Sequence, residues 1–253
     1  MKIDNVKVFG IEESIIASGL PMVEEYNAEQ FSLDSGSLML HLYGCKPSNC
    51  KEIQDEFQKT PDLHNYIDLD KRDKHLKRVK TLASCAGGES HDCFLVGCIV
   101  QCNVTAPRYW WPEAQRYHFI DIISSSSTMH RLKKFLAKAI EYKKKGDSQT
   151  LAKLIHEHFS KDTWSVIIDD FLTMAENRMK QSDVGIEELK ANLPDGWLQT
   201  ARITTNYRQL RTIVRQRSKH RLQEWRDFCA WVATLPMAND LIFGGIMAGD
   251  NEK

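Results

Sequence analysis

The stretch Asn206-Tyr-Arg-Gln-Leu-Arg-Thr-Ile-Val-Arg-Gln-Arg-Ser-Lys-His-Arg-Leu-Gln-Glu-Trp-Arg-Asp-Phe-Cys-Ala-Trp-Val-Ala-Thr-Leu235 carries one amphipathic pattern. Placed at about 100° per residue, Leu210, Ile213, Val214, Trp225, Phe228, Val232 and Leu235 share a face, and Arg217 and Arg221 fall at its centre. The pattern predicts one long C-terminal helix with two inward guanidiniums. Unpaired burial of such a group costs on the order of several kcal/mol, so each needs a partner for its fork of N–H donors. That partner is either a carboxylate of the chain or an anionic ligand, such as a phosphate or an acidic nucleobase edge. A third reading makes the helix a nucleic-acid surface, since Arg208, Arg211, Arg215, Lys219 and Arg226 also crowd it. The totals disfavour it: 34 basic residues balance 34 acidic ones, leaving no net charge to drive phosphate-backbone binding. Arg208, Arg215, Lys219 and Arg226 fit a solvated outer face.

Upstream, Leu198 to Thr205 alternates like a strand, and Asn206 with Gln209 makes an N-cap pattern for the helix. His130 to Lys145, Ser148 to Phe159 and Thr163 to Gln181 read as three helices, with Lys143-Lys144-Lys145 complementing a C-terminal dipole. Ser124 to Thr128 is a polar loop whose hydroxyls and amides can grip an anion. Cys93 to Val104 alternates as a half-buried strand. Thr105-Ala106-Pro107 then reads as an N-cap and first turn, which puts Arg108-Tyr-Trp-Trp111 on a short helix limited by Pro112. Lys2 to Phe9 reads as a strand, closed by Gly10 and followed by a helix from Glu12. Asp68 to Leu82 is helical, Ala83 to Ser90 a loop, and 19–62 an irregular or inserted region. With no repeat and no low-complexity linker, the 253 residues are expected to form a single α+β domain.

No run approaches the roughly 18 apolar residues of a membrane span, and the start lacks the apolar core of a signal peptide, which predicts a cytoplasmic protein. Seven cysteines without a CxxC pair argue against a disulfide framework and a common zinc module, so no metal site is expected. Cys98 and Cys102 share a strand face as small apolar residues.

The order of the pieces resembles a known family. A Gly-Glu-Ser90 loop leads into a strand, then Arg108-Tyr-Trp-Trp111, then a hydroxyl-rich stretch. Later come Leu193-Pro194, Thr204-Thr205-Asn206-Tyr207-Arg208, and a helix with Arg217 and Gln223. This is similar to the flavin-dependent thymidylate synthases, in which a Ser/Thr-Pro-x-Glu-His loop precedes a strand and an aromatic turn leads to an Arg-His-Arg signature. In that family a Leu-Pro segment then precedes Asn-x-Arg and a long helix. The segment from Leu193 to Gln223 matches without a gap. Where Arg-His-Arg would stand, this chain has Pro112-Glu113-Ala114, and the following Ser-x-Asn-Glu-x-Ser-x-Arg is echoed only by Ser124 to Thr128 with His130 or Arg131 behind it.

The resemblance implies a fold with a mixed or antiparallel sheet and a long C-terminal helix. It further implies a homotetramer that transfers a one-carbon unit from methylenetetrahydrofolate to C5 of a pyrimidine nucleotide such as dUMP, with FAD as cofactor and NADPH as reductant. Carried over, Arg217 is the catalytic contact to the pyrimidine; Arg108, Glu113, Ser125, Ser127 and Arg221 join it around the substrate; Ser90, Asn206 and Arg208 fall near the flavin. The wheel sets Arg208 opposite Arg217, so it would serve a site shared with another subunit. Glu113 would repel a phosphate unless it pairs with Arg108 or Arg116. A non-catalytic nucleotide-binding or assembly protein on the same fold is the alternative.

Overall fold

A computed structural model describes residues 1–25, 69–85, 91–181 and 185–244, with the backbone alone at 69–73. Ser90, Cys45, Cys50 and most of the 19–62 region lie outside the described residues. Four strands, β1 (Lys2–Phe9), β2 (Ile99–Pro107), β3 (Asp121–Ser125) and β4 (Leu198–Asn206), form a sheet in the order β1-β2-β4-β3. β3 and β4 are antiparallel, with Asp121 opposite Thr204 and Ser125 opposite Ala201, and an irregularity between Ile122 and Ser124. The described helices are α1 (Ile11–Ala17), α2 (Leu69–Ser84), α3 (Trp110–Arg116), α4 (Thr128–Lys145), α5 (Ser148–His158), α6 (Ser165–Met179), α7 (Ile186–Ala191), α8 (Tyr207–Arg217) and α9 (Gln223–Val232). The architecture is mixed helix and antiparallel sheet. No described helix is long and apolar enough to cross a membrane.

Contacts divide the chain into two compact units, one of 1–6 with 102–204 and the other of 7–101 with 205–253. In the first, α4 to α7 bury an apolar core that includes Leu132, Phe135, Leu136, Leu172 and Trp197. Trp197 has no exposed surface, and the rings of Phe135, His158 and Phe159 lie 5.2, 5.2 and 5.3 Å from it. Gly196 precedes it because nothing larger fits: a Cβ there would sit 1.8 Å from Thr163 Oγ1 and 2.9 Å from Thr163 Cβ. In the second unit, Tyr207, Leu210, Ile213 and Val214 of α8 and Trp225, Phe228 and Val232 of α9 are buried. The Tyr207 hydroxyl donates to Pro236 O at 2.6 Å, which satisfies its polar end.

Four sequence expectations need correction. The C-terminal helix is two helices, broken at 218–222. A continuous helix would drive Arg217 and Arg221 into the apolar face; the break leaves Arg217 half-buried in the last turn of α8 and Arg221 exposed. The break is satisfied locally. Leu222 N donates to His220 Nδ1 at 3.2 Å, and Arg226, expected on the solvated face, donates to the carbonyls of His220 and Arg221. The second correction is that Cys93–Val96 is a 3-10 turn and the strand runs from Ile99 to Pro107, so Thr105 is strand and no cap. Its alternation still holds, with Val100, Cys102, Val104 and Ala106 facing inward. Third, Pro112 does not end the short helix. It occupies the first turn of α3, where its missing N–H is no loss, and the helix continues to Arg116. Fourth, β3 takes in Ser124 and Ser125, expected in a polar loop, because they pair with Arg202 and Ala201 of β4, and Thr128 already begins α4; α7 has no counterpart among the sequence expectations.

His158 gives the first unit a pH dependence. Its Nδ1 lies 2.9 Å from Leu154 O, so that nitrogen carries the proton. Burial lowers its pKa, and Arg131 and Lys138 push the same way, against the Leu154 carbonyl and Glu157. A depressed histidine means that below about pH 6.5 the unfolded chain binds a proton that the folded chain refuses. Stability therefore falls as pH drops from about 6.5 toward the lower folded value. Urea midpoints at pH 7.5 and 5.5 should differ more for the parent than for His158→Gln; equal differences would show that His158 does not contribute.

Candidate functional site

The residues singled out in the sequence fall in both units. In the first, Arg108 follows β2 and is largely occupied with structure: its N–H donates to Trp197 O at 2.9 Å, Nη1 donates to Leu193 O at 3.0 Å, and Nη2 lies 3.8 Å from Asp195. Arg108 thus clamps the Leu193–Trp197 segment. Glu113 is half-buried in the first turn of α3, whose inner face is made by Trp110, Trp111 and Ala114. Ser125 is exposed at the end of β3.

Ser127 caps α4, accepting from His130 N at 3.5 Å, and its Oγ lies 2.9 Å from His130 Nδ1. One residue on, Arg131 is half-buried, donating to Leu198 O at 2.9 Å and to Ser126 Oγ at 3.3 Å, with its charge 5.4 Å from the Trp197 ring. Burial lowers its pKa. The first turn of this 18-residue helix thus gathers hydroxyls, an exposed histidine and the free N–H groups of a helix start. Such a turn favours an anion.

In the second unit, Asn206 is an N-cap as expected, accepting from Gln209 N at 2.9 Å. That function uses its side-chain oxygen. Arg217 lies with its charge 5.3 Å from the Trp225 ring, a cation over an aromatic face. Arg221 is exposed. The buried guanidinium of this segment belongs to neither: it is Arg211, only 5% exposed. Its Nη2 donates to Cys85 O at 2.8 Å, and its Nη1 lies 3.8 Å from Asp92 Oδ2. Arg208 Nε stands 3.1 Å from the other oxygen of Asp92, itself 4% exposed. Neither Asp92 Oδ1 nor Arg211 Nη1 has a hydrogen bond, so charge rather than aligned donation joins the three groups. Burial lowers the Arg211 pKa while Asp92 opposes it.

Asp92 and Arg211 are the residues that sequence reasoning missed. On the wheel Arg211 sits at the flank of the apolar stripe, and it is covered by chain more than a hundred positions away. Nothing within the helix marks it.

Nucleophilic thiol chemistry is not supported by the buried cysteines. Burial pushes Cys98 and Cys229 up to about 11 and Cys102 up to about 12, so all three are protonated at neutral pH. Among the described residues no cluster of three His, Cys, Asp or Glu could hold a metal ion.

No family model matches the chain, and no curated protein sequence matches it. Solved structures do. A crystal structure of the flavin-dependent thymidylate synthase ThyX from Helicobacter pylori, complexed with FAD and dUMP, aligns with a TM-score of 0.58 at 13% identity, covering 96% of this chain and 98% of that chain. A second structure of Helicobacter pylori ThyX with FAD and dUMP aligns with a TM-score of 0.53 at 16% identity over 76% of this chain and 92% of that one. At such identity the likeness establishes a related fold.

The location of the inward arginine is testable by stability. Arg211→Ala removes the buried partner of the Asp92 carboxylate, leaving only the part-exposed Arg208 beside it, and should cost about 3 kcal/mol or more in urea unfolding. Arg221→Ala should stay within about 0.5 kcal/mol, as for other surface changes. The reverse order would restore the single inward-facing helix.

Proposed function

We propose that this chain is an FAD-dependent thymidylate synthase-like enzyme, which transfers a one-carbon unit from methylenetetrahydrofolate to C5 of a pyrimidine nucleotide, dUMP or a relative. It would act as a cytoplasmic homotetramer with NADPH as reductant. The observation that carries the reading is the alignment, along nearly the whole of both chains, with a protein described as complexed with FAD and dUMP, joined to the family order of segments from Ser90 to Gln223. The residues present suit the anionic groups involved. Arg208, Asp92 and Arg211 sum to one net positive charge, and Arg208, 38% exposed, presents it to a phosphate of FAD. Ser125 at the end of β3 and Ser127 at the N-cap of α4 suit the nucleotide phosphate. When bound, reduced FAD supplies the hydride.

The chain's own residues bind and orient. Arg217, held over Trp225, contacts the pyrimidine and stabilises negative charge developing on its ring. Arg108 acts on the substrate side by fixing the Leu193–Trp197 segment, and Arg221, being exposed, is free to reach a ligand. Asn206 contributes by capping the helix that carries Arg208 and Arg217.

The non-catalytic alternative draws support from α3, where Pro112-Glu113-Ala114 stands in place of the family's Arg-His-Arg. Absorbance separates the two. Protein incubated with FAD and freed of excess should absorb between about 350 and 500 nm, the range of oxidised flavin chemistry supplied by such a cofactor. It should also release the C5 hydrogen of dUMP when methylenetetrahydrofolate and NADPH are added. Bound flavin without C5 chemistry would leave a nucleotide-binding protein, and no flavin would remove the enzyme reading.

Arg217→Lys should retain the fold and weaken dUMP binding about tenfold by calorimetry, because a point charge cannot reproduce a planar fork. Unchanged binding would take Arg217 out of the site.

A further inference from the structure

The three-charge cluster at the start of α8 is asymmetric. Asp92 and Arg211 are both more than nine-tenths buried, whereas Arg208 is the one member that reaches solvent. Asp92 approaches Arg208 at Nε, the inner nitrogen of the guanidinium, at 3.1 Å. The contact at Nε leaves the two terminal nitrogens, Nη1 and Nη2, as the outer edge of the fork. That edge presents the parallel N–H donors which bind phosphate in bidentate fashion. Arg211 meanwhile holds Asp92 in place from the opposite oxygen and is itself anchored to the Cys85 carbonyl.

A single carboxylate facing a single exposed arginine would neutralise it. Here the buried arginine offsets the carboxylate, so Arg208 keeps its charge as well as its orientation. We propose that Asp92 and Arg211 are positioning residues, a buried pair that aims the Arg208 fork at the pyrophosphate of a dinucleotide cofactor. The assignment rests on the flavin reading above for the identity of that cofactor. It goes further in naming which part of the cofactor is recognised and what holds the recognising group.

Removal of both buried charges isolates the positioning effect. Asp92→Asn with Arg211→Gln leaves the net charge of the protein unchanged and leaves Arg208 in place, so any loss arises from orientation and not from the overall field. Binding is read by flavin fluorescence for two probes, FAD and riboflavin, the second having no phosphate. Arg208→Gln serves as the reference variant, since its side chain is partly exposed and its removal spares the buried pair. The double variant and Arg208→Gln should each weaken FAD about tenfold or more, the value of one charge-assisted hydrogen bond, while riboflavin binds all of them as it binds the parent.

A stability cycle reads the pairing without any ligand. Asp92→Asn and Arg208→Gln should be non-additive in urea unfolding, and additivity would overturn the pinning of Arg208 whatever the flavin result. If the parent binds FAD and the double variant binds it equally well, the positioning role falls and the flavin reading stands. If FAD and riboflavin weaken together, the pair supports the fold of the pocket and does not aim at the phosphate. A parent that binds neither probe overturns both proposals.

Discussion

Taking a guanidinium out of water is costly unless its N–H donors are met, and that requirement runs through the whole structure. Main-chain carbonyls meet most of it. Arg78 donates to Ile15 O, Arg108 to Leu193 O, Arg131 to Leu198 O, Arg202 to Asn5 O, Arg211 to Cys85 O, and Arg226 to the carbonyls of the α8–α9 break. A carbonyl brings two lone pairs and no charge of its own, so it accepts an arginine without a second ion to desolvate. Each contact ties a side chain of one segment to the backbone of another, and several span more than sixty positions of sequence.

The same requirement sorts the arginines by what they remain able to do. Arg108 and Arg131 spend their donors on the Leu193–Leu198 backbone, where Trp197 centres the first core. Arg211 is buried with Asp92. Those that remain toward solvent in the C-terminal segment include the outer edge of Arg208, Arg215, the half-buried Arg217 over Trp225, and Arg221 in the break. The division is in keeping with the balanced charge of the chain, 34 basic residues against 34 acidic ones.

The polar groups gathered at the described positions are hydroxyls, arginines and helix termini, beside buried thiols that burial keeps protonated. These groups bind and polarise. At Pro112-Glu113-Ala114 a half-buried carboxylate occupies the first turn of α3, the segment where the family resemblance would place basic residues.

Short-range signals determined much of this by sequence alone. β1, β4, α4 to α6 and the Asn206 cap were legible because period and capping chemistry are local: an alternating strand or an Asn-x-x-Gln start needs no distant partner. Cys98 and Cys102 could be set on one face for the same reason, and both are buried. Tertiary structure alone decided the rest. The wheel treated Arg217 and Arg221 as members of one helix, whereas the cost of burying both is relieved by breaking the helix at 218–222, a choice that depends on what packs against it. Arg211 looked like a flank residue until Asp92 and Cys85, from a segment over a hundred positions earlier, closed over it. β3 escaped notice because Asp121 to Ser125 has little apolar alternation, and its pairing comes from β4 on the far side of four helices. Periodicity reports which way a side chain points, but burial is settled by the chain that arrives opposite it.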